Sequence, residues 1–255
     1  MLRFASLGSG SEGNGLVIES GDTRVMIDCG FGVRDCATRL ARIGLAPESL
    51  SAILVTHEHA DHVGGVAAFA ARYDIPVWLT FGTLSVVAER FEGMSHVYGF
   101  DSHDGFAIDD LAILPFPVPH DAREPVQFVV SDGAVRIGVL TDIGTSTPHV
   151  RASLSGCDAL VLECNHDADM LTRGSYPASL KQRIAGPFGH LCNATAAALL
   201  GSLDNSRLKH IIAAHLSQEN NTPDLARAAL AAALVCAPDW IGVADQAQGF
   251  GWRQV

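Results

Sequence analysis

Residues Thr56–His62 read Thr-His-Glu-His-Ala-Asp-His, so three histidines and an aspartate fall within six positions. They directly follow a short apolar run, Ala52–Thr56, expected to be a buried strand. In extended backbone alternate residues point the same way, so His57 and His59 can face one cation from one strand end. Asp61 and His62, at the start of the next helix, can turn toward a second point nearby. Imidazole nitrogen and carboxylate oxygen together suit Zn²⁺, Mn²⁺ or Fe²⁺. Such ions polarise an oxygen and make a nucleophile of water near neutral pH, which is the chemistry of metal-assisted hydrolysis. The plain alternative is a polar loop with solvated histidines. Gly64–Gly65, next in the chain, permits close backbone approach.

The positioning elements are legible as alternating short strands and helices. Strands are expected at Leu2–Leu7, Leu16–Glu19 and Arg24–Asp28, split by glycine-rich turns. Val33, Cys36, Ala37, Leu40 and Ile43 recur at helical spacing, with Gly44 where a helix would end. Val66, Phe69, Ala70 and Tyr73 mark a second helix. Strand signals dominate from Phe106 to Leu140, with turns at Asp109–Asp110 and Asp132–Gly133. Ala159–Glu163, Ile211–Ala214 and Ile241–Val243 read as further strands. Helical stretches are expected near 167–184, 194–203 and 223–235, the last with Thr222 as N-cap and Pro223 at the first helical position. No linker, repeat or low-complexity segment divides the chain. The pattern predicts two mixed sheets covered by helices, built as one domain over residues 1–255.

Composition narrows the class. The chain has 255 residues, 48% of them hydrophobic and 18% charged, which excludes a disordered or collagen-like protein. Its net charge of −11 argues against coating nucleic acid or anionic membrane by bulk charge. No apolar run approaches bilayer-spanning length and no secretory leader pattern opens the chain. Six scattered cysteines without a Cys-x-x-Cys pair fit reduced, mostly buried thiols, and a cytoplasmic location is expected. Residues 167–210 are locally basic, with Arg173, Lys181, Arg183, Arg207 and Lys209 against three aspartates. Arg173, Lys181 and Arg183, with Arg123, are therefore candidates for a phosphate path. The bland reading is a solvated helix face.

Two polar loops are also candidates. Ser9, Gly10, Ser11, Gly13 and Asn14 can present N–H groups to phosphate, or simply form a tight hairpin. Ser217, Asn220 and Asn221 can bind substrate oxygens, or cap the helix after Thr222.

His-Glu-His-Ala-Asp-His resembles the HxHxDH signature of the metallo-β-lactamase superfamily. The resemblance implies an α/β fold, a four-layer αβ/βα sandwich, with a dinuclear site at the sheet edges. It implies that His120, Asp142 and His215 supply the remaining ligands. His57, His59 and His120 would hold one divalent ion, and Asp61, His62 and His215 the other. Asp142 would bridge them, and the ions would be Zn or Mn, with Fe also compatible.

Within that superfamily several stretches point to one branch: SLGSGSEGN (6–14), HDAREPV (120–126), LECNHD (162–167), YPASLKQRI (176–184), GHLCN (189–193) and AHLSQENNTP (214–223). The series is similar to the small single-domain exonucleases of the WalJ (YycJ) type and runs over nearly the whole chain. Only about seventy residues separate Asp142 from His215, too few for the large inserted domain of the ribonuclease J type. One departure is Cys192, where serine is expected; it reads as a small packed residue rather than a ligand.

The resemblance implies a dinuclear phosphodiesterase, a 5′–3′ exodeoxyribonuclease attacking through a metal-bridging hydroxide, with a DNA 5′ end as partner. Asp61 would hold or deprotonate the water. His190, oriented by Glu163, would protonate the leaving oxygen, as a similar Glu and Gly-His pairing in the tRNA-processing nucleases suggests. Ser9, Ser11, Asn14, His166, Lys181, Arg183, Asn193, Ser217 and Asn220 are the expected substrate-binding set, with His166 alternatively supporting a ligand from behind. The competing expectation is a small-molecule metallo-hydrolase acting on a cyclic phosphate diester, thioester or lactone.

Overall fold

The computed structural model describes all 255 residues. Fourteen strands alternate with nine α-helices. In chain order the strands are β1 (Leu2–Gly8), β2 (Gly15–Ser20), β3 (Thr23–Ile27), β4 (Ala52–Leu54), β5 (Val77–Thr80), β6 (Val97–Phe100) and β7 (Phe106–Ile108). They continue as β8 (Leu111–Pro117), β9 (Val126–Ser131), β10 (Arg136–Leu140), β11 (Ala159–Glu163), β12 (His210–Ala214), β13 (Gly242–Val243) and β14 (Phe250–Gln254). The helices are α1 (Val33–Arg42), α2 (Ala60–Val63), α3 (Val66–Tyr73), α4 (Phe81–Val87), α5 (Pro148–Leu154), α6 (Ala168–Arg173), α7 (Ala178–Ile184), α8 (Asn193–Gly201) and α9 (Pro223–Leu234).

The strands form two seven-stranded mixed sheets. One runs β14-β1-β2-β3-β4-β5-β6 and the other β13-β12-β11-β10-β9-β8-β7. Within each, antiparallel hairpins lead into a parallel portion: β3-β4-β5-β6 in the first sheet and β10-β11-β12-β13 in the second.

Side-chain alternation explains the layering. Along β3, Val25 and Ile27 face the space between the sheets while Met26 faces the outer helices. Along β11, Ala159 and Val161 face inward while Leu160 and Leu162 face outward. The central cluster of 22 buried residues thus joins both sheets, from Phe4 and Ile18 to Phe128 and Ile212. A second cluster seats α1 and α3 through Cys36, Leu40, Val66 and Phe69, and a third seats α5, α8 and α9 through Val150, Leu199 and Leu230. Strands apolar on both faces are what helices on both outer surfaces require. The result is the expected four-layer αβ/βα sandwich.

Most local expectations hold. Thr222 caps α9 by accepting the Leu225 N–H at 3.3 Å, with Pro223 in the first turn. One expected element is corrected: the stretch 167–184 is two short helices. Gly174 and Pro177 break it, because Pro177 cannot continue a helix and a side chain at Gly174 would meet Asn220 Oδ1 at 2.5 Å. Strands β5, β6 and β14 were not anticipated. No helix is long and apolar enough to cross a membrane.

Candidate metal centre

The cluster gathers at strand ends. Thr56–His59 follow β4, His120 follows β8, Asp142 follows β10, Glu163 ends β11 and His215 follows β12. The chain turns sharply at two of these ends and at the end of β3. Asp28, Asp142 and His215 have φ of 61°, 54° and 55°, a region non-glycine residues seldom adopt. Such strain concentrates where surrounding contacts over-determine a functional geometry. Gly65 shows the close approach allowed by the glycine pair: a Cβ there would lie 1.8 Å from the Phe31 carbonyl oxygen. The Cys29 N–H donates to His62 O and the Gly65 N–H to Cys29 O, both at 2.8 Å, which locks the motif onto the end of β3.

A chain of hydrogen bonds behind the motif fixes its ring orientations. The Thr56 N–H donates to Asp28 Oδ1 at 2.8 Å and its hydroxyl to Asp28 Oδ2 at 2.8 Å. With its proton so used, Thr56 Oγ1 accepts from His57 Nδ1 at 2.9 Å. His57 Nε2 is then a lone pair, fully buried and without a partner. His62 Nδ1 lies 2.8 Å from Asp28 Oδ2 and donates to it, which leaves Nε2 facing the cluster. His120 Nδ1 lies 3.1 Å from Gly189 O and must donate, which aims its Nε2 inward.

The inward atoms converge. His120 Nε2 is 3.3 Å from His59 Nδ1. His215 Nε2 is 3.4 Å from both Asp61 Oδ2 and Asp142 Oδ1. Asp142 Oδ2 is 3.0 Å from His62 Nε2, yet it is buried without an aligned hydrogen bond. Ligand atoms of His57, His59 and His120 all lie within 4.8 Å of one another, as do those of Asp61, His62 and His215 and those of His57, His62 and Asp142. Four atoms at about 2.1 Å around a tetrahedral ion stand about 3.4 Å apart, so the spacing is that of a cation cage. Orphaned lone pairs in a buried group of imidazoles and carboxylates are costly unless a cation satisfies them. The residues present fit divalent metal.

The buried rings and carboxylates shift one another's protonation. Burial, helped by the nearby His62 ring, drives the His57 pKa well below the usual value, so its ring is neutral. Burial opposes charge on His62, but Asp142 and Asp28 outweigh it and hold its pKa well above normal. Burial raises Asp142, but the His215 and His62 charges overcome this and hold the carboxyl well below the usual range. Asp61 behaves likewise: hydrogen bonds from His215 and His62 outweigh its burial and lower it.

Glu163 organises the rear wall. It is fully buried, and its Oε1 accepts from Asp142 N at 3.0 Å and His190 Nδ1 at 2.8 Å. Its Oε2 accepts from Ile143 N at 3.2 Å and Leu191 N at 2.9 Å. Four donors saturate the carboxylate, so it serves as an orienting group rather than a ligand. Burial disfavours charge on His190, but Glu163, with Asp142 and Asp121 behind it, pushes its pKa up to about 9.

A cleft of about 400 Å³ opens above the cluster. Of the expected substrate-binding residues, Ser11, Arg183 and Ser217 line it, together with His190. Others lie elsewhere. Ser9 accepts the His215 N–H at 2.9 Å and so packs behind His215, whereas the Asn14 amide sits at the edge of the cluster, 3.1 Å from His62 Nε2 and 3.3 Å from Asp61 Oδ2. Buried His166 has its Nδ1 3.2 Å from Asn165 Oδ1. Asn193 exchanges amide hydrogen bonds with Asn221 at 2.8 and 2.9 Å. Buried Asn220 donates its N–H to Ser217 Oγ at 3.2 Å. Lys181 gives its ammonium to Thr172 O at 2.8 Å. Cys192 Sγ accepts from Thr195 Oγ1 at 3.4 Å.

The structure adds residues that sequence reasoning passed over. Asp28 and Thr56 orient the motif, and Asp28 had a visible signal: like Asp142, it is an aspartate closing an apolar strand. Asp121 lies 3.5 Å from His120 Nε2 and 3.8 Å from His59 Nε2, and its other oxygen accepts from Arg183 Nε at 2.6 Å.

A sandwich of two mixed sheets with this histidine–aspartate cage defines a metal-dependent hydrolase of metallo-β-lactamase fold. The chain belongs to the beta-lactamase superfamily domain family, which matches residues 23–211. It is 34% identical over 235 residues to the exodeoxyribonuclease YycJ of Bacillus anthracis, covering 89% of this chain and 86% of that one. It is 32% identical over 249 residues to the exodeoxyribonuclease WalJ of Streptococcus pneumoniae, covering 95% and 91%. Among solved structures, the metallo-β-lactamase-fold protein YhfI from Bacillus subtilis superposes with a TM-score of 0.77 at 15% identity, covering all of both chains. The short form of human tRNase Z superposes at 0.70 and 16% identity, covering 99% of each.

Proposed function

We propose that this chain is a dinuclear metal-dependent exodeoxyribonuclease that removes nucleotides from the 5′ end of DNA. The observation that carries the reading is the pairing of the seven-residue cage with a charged imidazole, His190, on the wall of the same cleft. Similarity to YycJ and WalJ over most of the chain supports a DNA substrate, and the resemblance of the motif series supports the 5′ direction. We assign His57, His59 and His120 to one divalent ion and Asp61, His62 and His215 to the other, with Asp142 between them. Zinc or manganese fits the donor set, and iron is compatible.

Bound there, the ions supply a Lewis acid for a phosphoryl oxygen and lower the pKa of water. The chain's own residues do the rest. Asp61 stays ionised because its neighbours hold it low, so it orients water by accepting its proton in a hydrogen bond and is a weak base. His190 keeps its Nδ1 proton on Glu163 and carries a second on Nε2, available to the departing 3′ oxygen. Arg183, Ser11 and Ser217 face the cleft and contact phosphate or sugar. Ser9, His166, Asn193 and Asn220 act from behind by holding the loops that carry ligands, and Asn14 orients Asp61 and His62 from the edge of the cage. Lys181 lies to one side and adds only long-range attraction.

Single-stranded and duplex DNA and RNA, labelled at either end and carrying 5′ phosphate or hydroxyl, should be compared with Mn²⁺ and Zn²⁺. Mononucleotide release from the 5′ end of DNA supports the proposal. Turnover of thioester, lactone or cyclic phosphate diester alone contradicts it in favour of a small-molecule hydrolase.

A further inference from the structure

The cleft that holds the metal cage also has three apolar side chains that the mechanism leaves unused. Tyr176, Leu180 and Ile184 line the cleft, spaced four residues apart, on and just before α7. Leu180 and Ile184, four residues apart, share one face of α7, and Tyr176 stands just before its Pro177 N-cap. Helix α7 has no buried residue, so this stripe does not serve the core. What holds α7 beside the site is polar: Arg183 Nε pairs with Asp121 at 2.6 Å, and the His190 N–H donates to Ile184 O at 2.8 Å. Asp121 in turn stands against His59 and His120. These side chains are therefore fixed in the same cleft as the cage, with a guanidinium beside them. An aromatic ring and two branched aliphatic side chains, with Arg183 beside them in the cleft that the cage also lines, match a nucleotide: a flat apolar base joined to an anionic phosphate. The cleft volume lies within the range of small-molecule sites.

We propose that Tyr176, Leu180 and Ile184 form a nucleobase subsite that packs against the base flanking the scissile phosphate, with Asp121 positioning Arg183 beside it. The inference rests on the nuclease reading above. It makes the enzyme sequence-tolerant but base-requiring, because every base offers an apolar face. Discrimination against a missing base should then be about tenfold or more, within the range of stacking contributions.

The test uses metal-loaded enzyme and single-stranded oligonucleotides ending in thymidine or in an abasic tetrahydrofuran nucleotide at the degraded terminus. Wild type should favour the thymidine end by about tenfold or more in kcat/KM. Y176A and the double variant L180A/I184A should compress that ratio to within about twofold, chiefly through KM, with metal content and Tm as in wild type. Y176F, which keeps the ring face, should retain the preference. A wild-type enzyme indifferent to the abasic end, or variants that keep full discrimination, overturns the subsite and leaves the nuclease reading standing. Failure of wild type to cut either oligonucleotide overturns both.

Discussion

Glu163 Oε1 lies 2.8 Å from His190 Nδ1 and 3.0 Å from Asp142 N, so one buried charge orients both the His190 ring and the Asp142 backbone. Removing it orphans the N–H groups of Asp142, Ile143 and Leu191, each worth about 1–3 kcal/mol when buried. Glu163→Ala should therefore lower stability by several kcal/mol, on the order of 10 °C in Tm, and reduce kcat about a hundredfold or more. Glu163→Gln keeps the shape but turns an amide N–H toward donors, and should also lose activity. Calorimetry and steady-state rates check this; a Glu163→Ala protein melting with wild type would contradict it.

The Glu163–His190 pair also makes a pH prediction for the metal-free protein. The His190 pKa stands at about 9 in the fold, above the unfolded value of about 6.5. A raised pKa stabilises the fold fully below about pH 6.5, and the contribution is lost as pH rises through about 9. The difference in unfolding free energy between wild type and His190→Gln, in chelator, should therefore be larger at pH 6 than at pH 10, by on the order of 2–3 kcal/mol. Chemical denaturation at the two pH values measures it; an unchanged difference would show that the pair does not titrate as the geometry requires.

Arg183 sits at the mouth of the cleft in a chain of net charge −11, so attraction for phosphate is local. Arg183→Ala should raise KM for DNA about three- to tenfold and reduce the slope of log affinity against log salt by about one. Titration of a fluorescent oligonucleotide from low to physiological salt reads both quantities. A variant with the wild-type slope would remove Arg183 from the phosphate path.

Gly65 packs its α-carbon against the Phe31 carbonyl, where a methyl group would overlap at 1.8 Å. Gly65→Ala must push the histidine motif away from β3. It should lower metal content and cost more than about 2 kcal/mol, although no histidine or aspartate of the cluster is altered. Metal analysis beside thermal unfolding tests it; normal loading would show that the loop absorbs the methyl group freely.

The sequence made the cage and its sheet positions legible for a physical reason. Its histidines and aspartates are short-range in pattern, as in His57–His62, or close an apolar strand, as do Asp142 and His215. The supporting contacts were less visible because they join residues distant in sequence: Asp28 with Thr56 and His62, Gly189 with His120, and Asn14 with Asp61. Strand β14 escaped notice because it is an edge strand with mostly exposed side chains, paired to β1 across the full length of the chain. Helices α6 and α7 merged into one in the sequence reading because Gly174 and Pro177 interrupt an otherwise helical composition. Lys181 illustrates the limit of charge counting, since its ammonium is committed to Thr172 rather than to the cleft.

The central claim is that seven side chains hold two cations in one cage, and metal stoichiometry tests it most directly. Inductively coupled plasma analysis of manganese- or zinc-loaded protein should give two ions per chain for wild type. It should give one or fewer for Asp142→Ala, with the loss of DNA hydrolysis matching the loss of metal. A wild-type protein that binds one ion or none while cleaving DNA at full rate, or an Asp142→Ala variant with both ions and unchanged turnover, would contradict the account.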